Sequence, residues 1–421
     1  MGATLTTFDS LFKDHYIGPI EEQLQTECIA LEMMEKATVT WKGRKCVLPV
    51  HVGRNTGTGY TGGGLPVAGQ QTYRDLEVTA KKVYGTFKLD GDVLAAAEEG
   101  GEDAFAGVQE TELKGLTADL KNLMNRLVFS GGQVKAFIHQ SKNEAGAAVW
   151  EASGDVAALA DAIVVLAGPV NIQVVRLDTY AVVQNNTVTA ANATTMNITL
   201  SAALNTTVVD AGIACAIKIA NADAATLDID KQPIGFYGKL CEPTHFTVDR
   251  TDLTGGDGNV LQSTVFTGVD TGNQNRVALS LAMFDRAIDE VEELHEDIPD
   301  VCFIHHKQRQ RYVALQQGTI QTNQAGGSKV SSVNMGTTGA SLAWGDIPIK
   351  PNRHCGKGLM IFLNKETWKR AELKKLAVQQ KDGSILSRVS GQDQWEGFVA
   401  GYHNYVCVVP NANAIVVGFT V

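Results

Sequence analysis

The sequence predicts an α+β chain that carries an inserted β-rich domain and a long two-stranded arm. Three observations predict it. Gly53 to Gly69 (GRNTGTGYTGGGLPVAG) holds seven glycines between two β-like runs. Leu113, Leu116, Leu120, Leu123 and Leu127 step by three and four along a helix expected over 102–129. Between about 133 and 233 the helical period is replaced by short β-branched runs separated by Asn and Asp turns.

Composition sets the frame. At 421 residues, the chain exceeds one ordinary core, so two or three domains are expected. It is 44% hydrophobic and 19% charged, the balance of a folded chain, and its 42 glycines fit β-structure and extended loops. A formal charge of −10 argues against a dedicated nucleic-acid reader, which shows a basic face. The seven cysteines (28, 46, 215, 241, 302, 355, 407) never form CxxC and suggest reduced, buried thiols rather than a disulfide framework or zinc knuckle. Met1–Ser10 is polar, so no secretory leader is expected. No apolar run reaches the ~18 residues of a membrane helix.

In chain order, residues 14–36 read as a helix, with Pro19 in its first turn and Ile20, Leu24, Cys28 and Leu31 on one face. With no core of its own, it reads as an arm (1–38) that docks elsewhere. Val47–Val52 leads into the glycine-rich tip and Leu76–Leu89 leads out, giving an extended β-loop over 39–87. An isolated two-stranded ribbon is marginal in water, so it must lie on its own domain or on a neighbouring copy. Residues 88–132 hold the long helix. In the insert (133–233), strands are expected at 170–177, 179–183, 187–189, 196–200, 214–219 and 226–229, with a short helical turn at 156–163. From Ile234 the pattern is α+β again: a helix over 280–294, a buried strand over 301–304, a helix through Tyr312 and Leu315, and a polar loop over 317–341. An edge strand follows around Pro348, then a strand over 359–363 and a helix over 365–373. The runs 405–410 and 414–419 read as a closing hairpin. Domain limits are therefore placed at 234–390 and 391–421.

Motifs for chemistry are weak. A P-loop needs GxxxxGK[ST], but Gly64 is followed by Leu65 and Pro66, and a dinucleotide fingerprint needs a helix where this stretch returns as a strand. His295, His305 and His306 lack metal-ligand spacing, and the acidic run 289–297 reads as a solvated helix face. No GxSxG occurs. The sequons at Asn185, Asn192, Asn197 and Asn205 read as turn and strand asparagines. No enzyme activity, cofactor or metal is expected. The residues singled out are those of the loop tip: Gly57, Gly59, Tyr60, Gly62, Gly63 and Gly64.

The order of these parts, with several local strings, resembles the major capsid proteins of tailed bacteriophages with the Hong Kong 97-type fold. The strings are GRNTGTGYTGGGLPVAGQQTY (53–73), KKVYGTFKLDGDVLAAA (81–97), GFYGKLCEPTHFTVDRTD (235–252) and YHNYVCVVPNANAIVVG (402–418). The acidic residue often found before the family's GG pair is absent here, where Thr61 and Gly62 stand. The resemblance implies an N-arm, an extended loop, a peripheral domain with a spine helix, an axial domain and an inserted β-barrel-like domain. It implies a subunit that self-assembles through hexamers and pentamers into an icosahedral shell enclosing double-stranded DNA, assembled in the host bacterial cytoplasm and located in the virion. Its partners would be copies of itself, a portal, a separate scaffold protein, a decoration or cement protein, and packaged DNA by non-specific proximity, with no membrane. Glycines at 53–64 would supply cheap torsions for loop movement during shell expansion. Lysine–asparagine cross-linking is not carried over, because Lys42, Lys45, Lys81 and Lys82 flank the loop rather than occupy its tip. An encapsulin-type nanocompartment shell is the alternative within the same fold. A cytoplasmic enzyme or a β-rich adhesin would be indicated instead by a soluble monomer or a bound cofactor.

Overall fold

A computed structural model describes residues 29–55, 57–60, 64–92, 108–138, 149–204, 214–250, 261–267, 278–295, 298–317, 342–344, 347–379 and 386–419. The chain enters through α1 (Ile29–Lys36) and β1 (Thr38–Thr40), then forms a ribbon from β2 (Cys46–Gly53) and β3 (Thr72–Val78). The ribbon is antiparallel, with Leu48 opposite Leu76 and Cys46 opposite Val78. Strand β4 (Lys81–Asp90) follows, and then α2 (Val108–Ser130), the long helix. Leu76–Leu89 is therefore two strands rather than one. The apolar phase changes from even positions (Leu76, Val78) to odd ones (Val83, Phe87, Leu89), and β4 leaves the ribbon to pair with a strand from the far end of the chain.

The insert contains β5 (Val134–Ile138), β6 (Val149–Gly154), α3 (Val156–Leu166), β7 (Val170–Arg176), β8 (Val182–Asn192), β9 (Asn197–Leu200) and β10 (Cys215–Ile219). These strands close into a barrel in the order β10-β5-β6-β9-β8-β7, every pairing antiparallel. Its interior is filled by Trp150, Val170, Ile172, Val188, Ile198 and Ile217, and α3 adds Val156, Leu159 and Ala162. Asp155 caps α3 by accepting from Ala158 N–H at 3.1 Å, so a full helix forms where a short turn was expected. The run 187–189 and the end of 179–183 lie in the single strand β8, while Tyr180, at φ 56°, belongs to the turn before it. The strand expected at 226–229 is instead the end of α4 (Asn221–Thr226) and a 3-10 turn at Ile229–Lys231. Ala224 and Ile229 pack into the barrel core.

Beyond the barrel come α5 (Phe236–Cys241), the two-residue strands β11 (Thr244–His245) and β12 (Val248–Asp249), β13 (Thr264–Thr267), α6 (Leu281–His295), β14 (Val301–Ile304), α7 (His306–Gln317), β15 (Leu342–Trp344), β16 (Ile347–Pro351) and β17 (Leu359–Leu363). The chain ends with β18 (Trp368–Val378), β19 (Ser387–Arg388), β20 (Gln394–Cys407) and β21 (Ala414–Val417).

Two sheets organise these strands. One has the order β1-β18-β20-β19, with β4 on β20; the other has the order β13-β21-β17-β14-β16-β15. The second sheet is covered on both faces. Phe284, Val291 and Tyr312 of α6 and α7 pack with Met360 and Phe362, while Phe303, Ile361 and Val417 face α2 and α5. This is why its central strands read as unbroken apolar runs.

Several expectations change here. Residues 365–373 form a short 3-10 turn and then β18, because the long strand β20 offers them a partner from Cys407 down to Val399. The closing segments do not form a hairpin: β20 and β21 lie in different sheets, separated by the buried turn Pro410–Ala412. Accordingly β18 belongs with β20 and not with the 234–363 strands, and β21 belongs with them. Pro348 lies on an interior strand, since β16 pairs with β14 and with the three-residue β15. The terminal helix has a core after all: Ala30, Leu31 and Met34 are buried against α2 and the β18–β20 sheet. Residues 14–28 of that expected helix and the loop 318–341 lie outside the described residues.

Candidate inter-subunit surface

The ribbon is well anchored at its base and bare at its end. Along β2, Val50 and Val52 turn inward and Val47, Pro49 and His51 outward, the alternation of a strand lying on a surface. Val50 and Leu76 pack with Leu261, Phe246 and Val248, while Val78 packs with Ala371 and Val406. Lys45 pairs with Glu77 near the base. Higher up, His51 meets the Tyr73 ring at 5.1 Å and Gln71 Oε1 at 2.5 Å.

Past Gly53 most of the described residues of the two limbs are exposed. Tyr60, Leu65 and Val67 are almost entirely exposed, an unusual concentration of large apolar groups on one tip. The predicted tip residues behave differently from one another. Gly57 is a close approach: its N–H donates to Asn55 Oδ1 at 2.7 Å, and a Cβ there would meet Gly69 N at 2.9 Å and Val67 O at 3.0 Å. Gly59 and Gly64 stand in open space. Gly62 and Gly63 lie outside the described residues. Leu65 and Val67 were not among the residues singled out, although two apolar side chains in a polar, glycine-rich stretch were a readable signal.

The base rests on a buried polar network drawn largely from the string 235–252. Arg250, 1% exposed, donates from Nη1 to Leu240 O at 2.7 Å and from Nη2 to Lys239 O and to His245 Nδ1, the latter at 3.0 Å. A guanidinium only donates, so His245 Nδ1 accepts and its Nε2–H donates to Cys407 O at 2.9 Å. Burial, then the charges of Arg250 and Lys239, hold His245 well below its ordinary value, in the neutral form this geometry requires. Tyr180 of the barrel lies under the guanidinium, with its Oη 3.1 Å from Leu240 O and from Ser263 Oγ. Lys239, pushed down to about 7 by burial, sits 3.3 Å over the Phe246 ring. Phe246 takes a left-handed φ of 59°, strain held in place by this packing. The network thus ties the barrel, α5, β20 and the ribbon base into one mount.

In a cleft of about 300 Å³ between the barrel, α2 and the β16–β17 connection, Arg126 pairs with Asp155 at 3.1 Å, near His305, His354, Arg353 and Lys357. Burial, then nearby cations, pushes His305 and His354 each down to about 4. Burial raises the thiols of Cys215, Cys241 and Cys407 to about 12, which makes them poor nucleophiles. Among the described residues, no helix is long and apolar enough to cross a membrane.

No family model and no curated protein matches the chain. Solved structures do match over the whole length. The capsid asymmetric unit of cyanophage A-1(L) aligns with 100% of this chain and 100% of its own, at 9% identity and a TM-score of 0.61. The capsid of the native GTA particle aligns over 99% of each chain at 8% identity and a TM-score of 0.53, and that of the empty GTA particle over 98% and 96% at 8% and 0.52. On likeness that spans the whole length, this chain has the α+β capsid fold that its sequence resembled.

Proposed function

We propose that this chain is the major capsid protein of a tailed phage, which assembles through hexamers and pentamers into an icosahedral shell around double-stranded DNA. The observation that carries the reading is end-to-end likeness to a phage capsid chain, with neither partner of the alignment left over. The ribbon supports it: a rigid mount presents Tyr60, Leu65 and Val67 to something outside the chain, and a second copy supplies that cover in a lattice. Many modest contacts of this kind add up through multivalency. The role is mechanical rather than enzymatic. A portal, a separate scaffold and a decoration protein are further partners in this reading, with the barrel on the outer side. A net charge of −10 keeps packaged DNA from adhering to the wall.

Expression of the chain alone, followed by negative-stain imaging and sedimentation, tests the proposal. Closed shells or hexameric and pentameric rings are expected. A monomer that stays soluble with a candidate scaffold present would overturn it, and small DNA-free shells holding enzymes would redirect it to a nanocompartment.

A further inference from the structure

The β18–β20 sheet carries a polar patch inside the core, beneath the N-terminal helix. The register sets Arg370 opposite Tyr405 and Glu372 opposite His403, so the four side chains share one face. All four are buried, His403 and Tyr405 completely. α1 lies over this face, and β1 flanks it as the edge strand beside β18. Glu35 of α1 reaches Arg370 at 3.2 Å, β1 pairs in parallel with Arg370–Glu372, and Arg370 N–H donates to Ala37 O at 3.1 Å. Arg370 also donates to Glu372 at 3.1 Å.

Beyond those bonds the patch is unsatisfied. Among the described residues, Arg370 Nε, both ring nitrogens of His403 and the Tyr405 hydroxyl are buried without a hydrogen-bond partner. The His403 and Tyr405 rings merely meet edge-on at 5.4 Å. Native proteins leave few such atoms, and each disfavours the arrangement that buries it by roughly 5- to 150-fold. Here they concentrate under a short cover whose own buried apolar groups are Ala30, Leu31 and Met34.

We propose that residues 29–41 form a releasable latch, seated on a polar patch that gains hydrogen bonds to water when α1 and β1 lift away. The closed latch is the state seen here. The open state frees Arg370, Glu372, His403 and Tyr405 while β20 stays paired with β4. The inference stands on the geometry of the single chain and does not depend on the shell reading.

Acid favours the open state. Burial, then the Arg370 charge, presses His403 down to about 3 in the closed seat. The groups that face it are Glu35 of α1, Arg370 and Glu372 of β18, and Tyr405 of β20. Lys81 pairs with His403 from β4 but turns to Asp230 O, and α2 packs on β4 through Leu116 and Leu120. Once hydrated, the imidazole titrates near its ordinary 6.5. Protonation therefore prefers the open latch, and opening rises roughly 30-fold between pH 7.5 and pH 5.

Hydrogen exchange with mass spectrometry on the full chain, corrected for intrinsic exchange rates, tests this. Peptides covering 29–41 should exchange faster than those of β20, and their opening should rise about 30-fold at pH 5. Tyr405→Phe removes one unpartnered hydroxyl with little change of shape, and should slow exchange of 29–41 at least 5-fold while keeping the pH response. His403→Leu should abolish the pH response. Protection of 29–41 equal to that of β20, or faster exchange in Tyr405→Phe, would overturn the proposal; so would a pH response that survives His403→Leu.

Discussion

The barrel docks onto the second sheet through two glycines, and replacing one of them should prise the two apart. A Cβ added to Gly356 would lie 2.3 Å from Gly154 Cα, 2.7 Å from its carbonyl carbon and 2.8 Å from its nitrogen. All three are backbone atoms, so no rotamer change relieves the clash. Reaching ordinary van der Waals separation requires the backbones to part by about 1 Å. That movement breaks the hydrogen bond from Gly154 N–H to Lys357 O (3.4 Å) and the one from Gly356 N–H to Tyr237 Oη (2.8 Å). Two hydrogen bonds at about 1 kcal/mol each, with about 1–3 kcal/mol of overpacking, put the cost of Gly356→Ala near 4 kcal/mol. In urea, with a slope of about 3 kcal/mol per M, the unfolding midpoint should drop by ~1.3 M. Gly115→Ala is the matched control. It sits within α2 with nothing within 4 Å of its added methyl, so it should stabilise by up to ~1 kcal/mol. Circular dichroism on both variants reads the comparison. A Gly356→Ala midpoint equal to that of the parent would mean that the two backbones are not in contact in solution.

Other consequences are open to the same kind of check. Tyr60→Ala with Leu65→Ala should leave the thermal midpoint of unassembled subunits unchanged, since both side chains are solvent-exposed, yet sharply reduce the yield of sedimenting particles. Gly57→Ala should lower that yield more than Gly59→Ala or Gly64→Ala, because of these three Gly57 alone faces the opposite limb at contact distance. Asp155→Ala removes the cap of α3, the nearer carboxylate partner of Arg126 and a negative charge near the buried Lys135, at a cost of about 3 kcal/mol by urea titration. His305 and His354 are held near 4 in the fold against about 6.5 when unfolded, so they favour folding above that upper value. Stability should therefore decline as pH falls from 6.5 toward 4. The double variant His305→Asn, His354→Asn should flatten that decline in a pH series of melts.

Elements whose neighbours in sequence settle their conformation were legible. The leucine steps of α2, the alternation of β2 and the β-branched runs of β7 and β10 each match a single period, and that period is a property of the backbone alone. The tip glycines and Tyr60 could be picked out because glycine clusters signal backbone freedom. The mount beneath them could not. Arg250 stood in the string 235–252 with no burial assigned to it, and packing with Leu240, His245 and the distant Tyr180 makes it a buried anchor.

The sequence by itself therefore determined the kinds of elements and their order, and with them the resemblance that pointed to a capsid subunit. Tertiary structure alone decided which strands share a sheet. Residues 368–373 carry lysine, arginine and glutamate in a pattern that suits a helix, yet they become a strand because β20 presents unpaired backbone along its length. β20 and β21 look like the limbs of one hairpin, yet Tyr402–Tyr405 runs beside β18 in one sheet and Ala414–Val417 lies between β13 and β17 in another. In each case, local preference is worth a few tenths of a kcal/mol per residue. Burying a large apolar side chain and satisfying a buried backbone group are each worth about 1–3 kcal/mol. The long-range partner, invisible to any local window, is the stronger of the two.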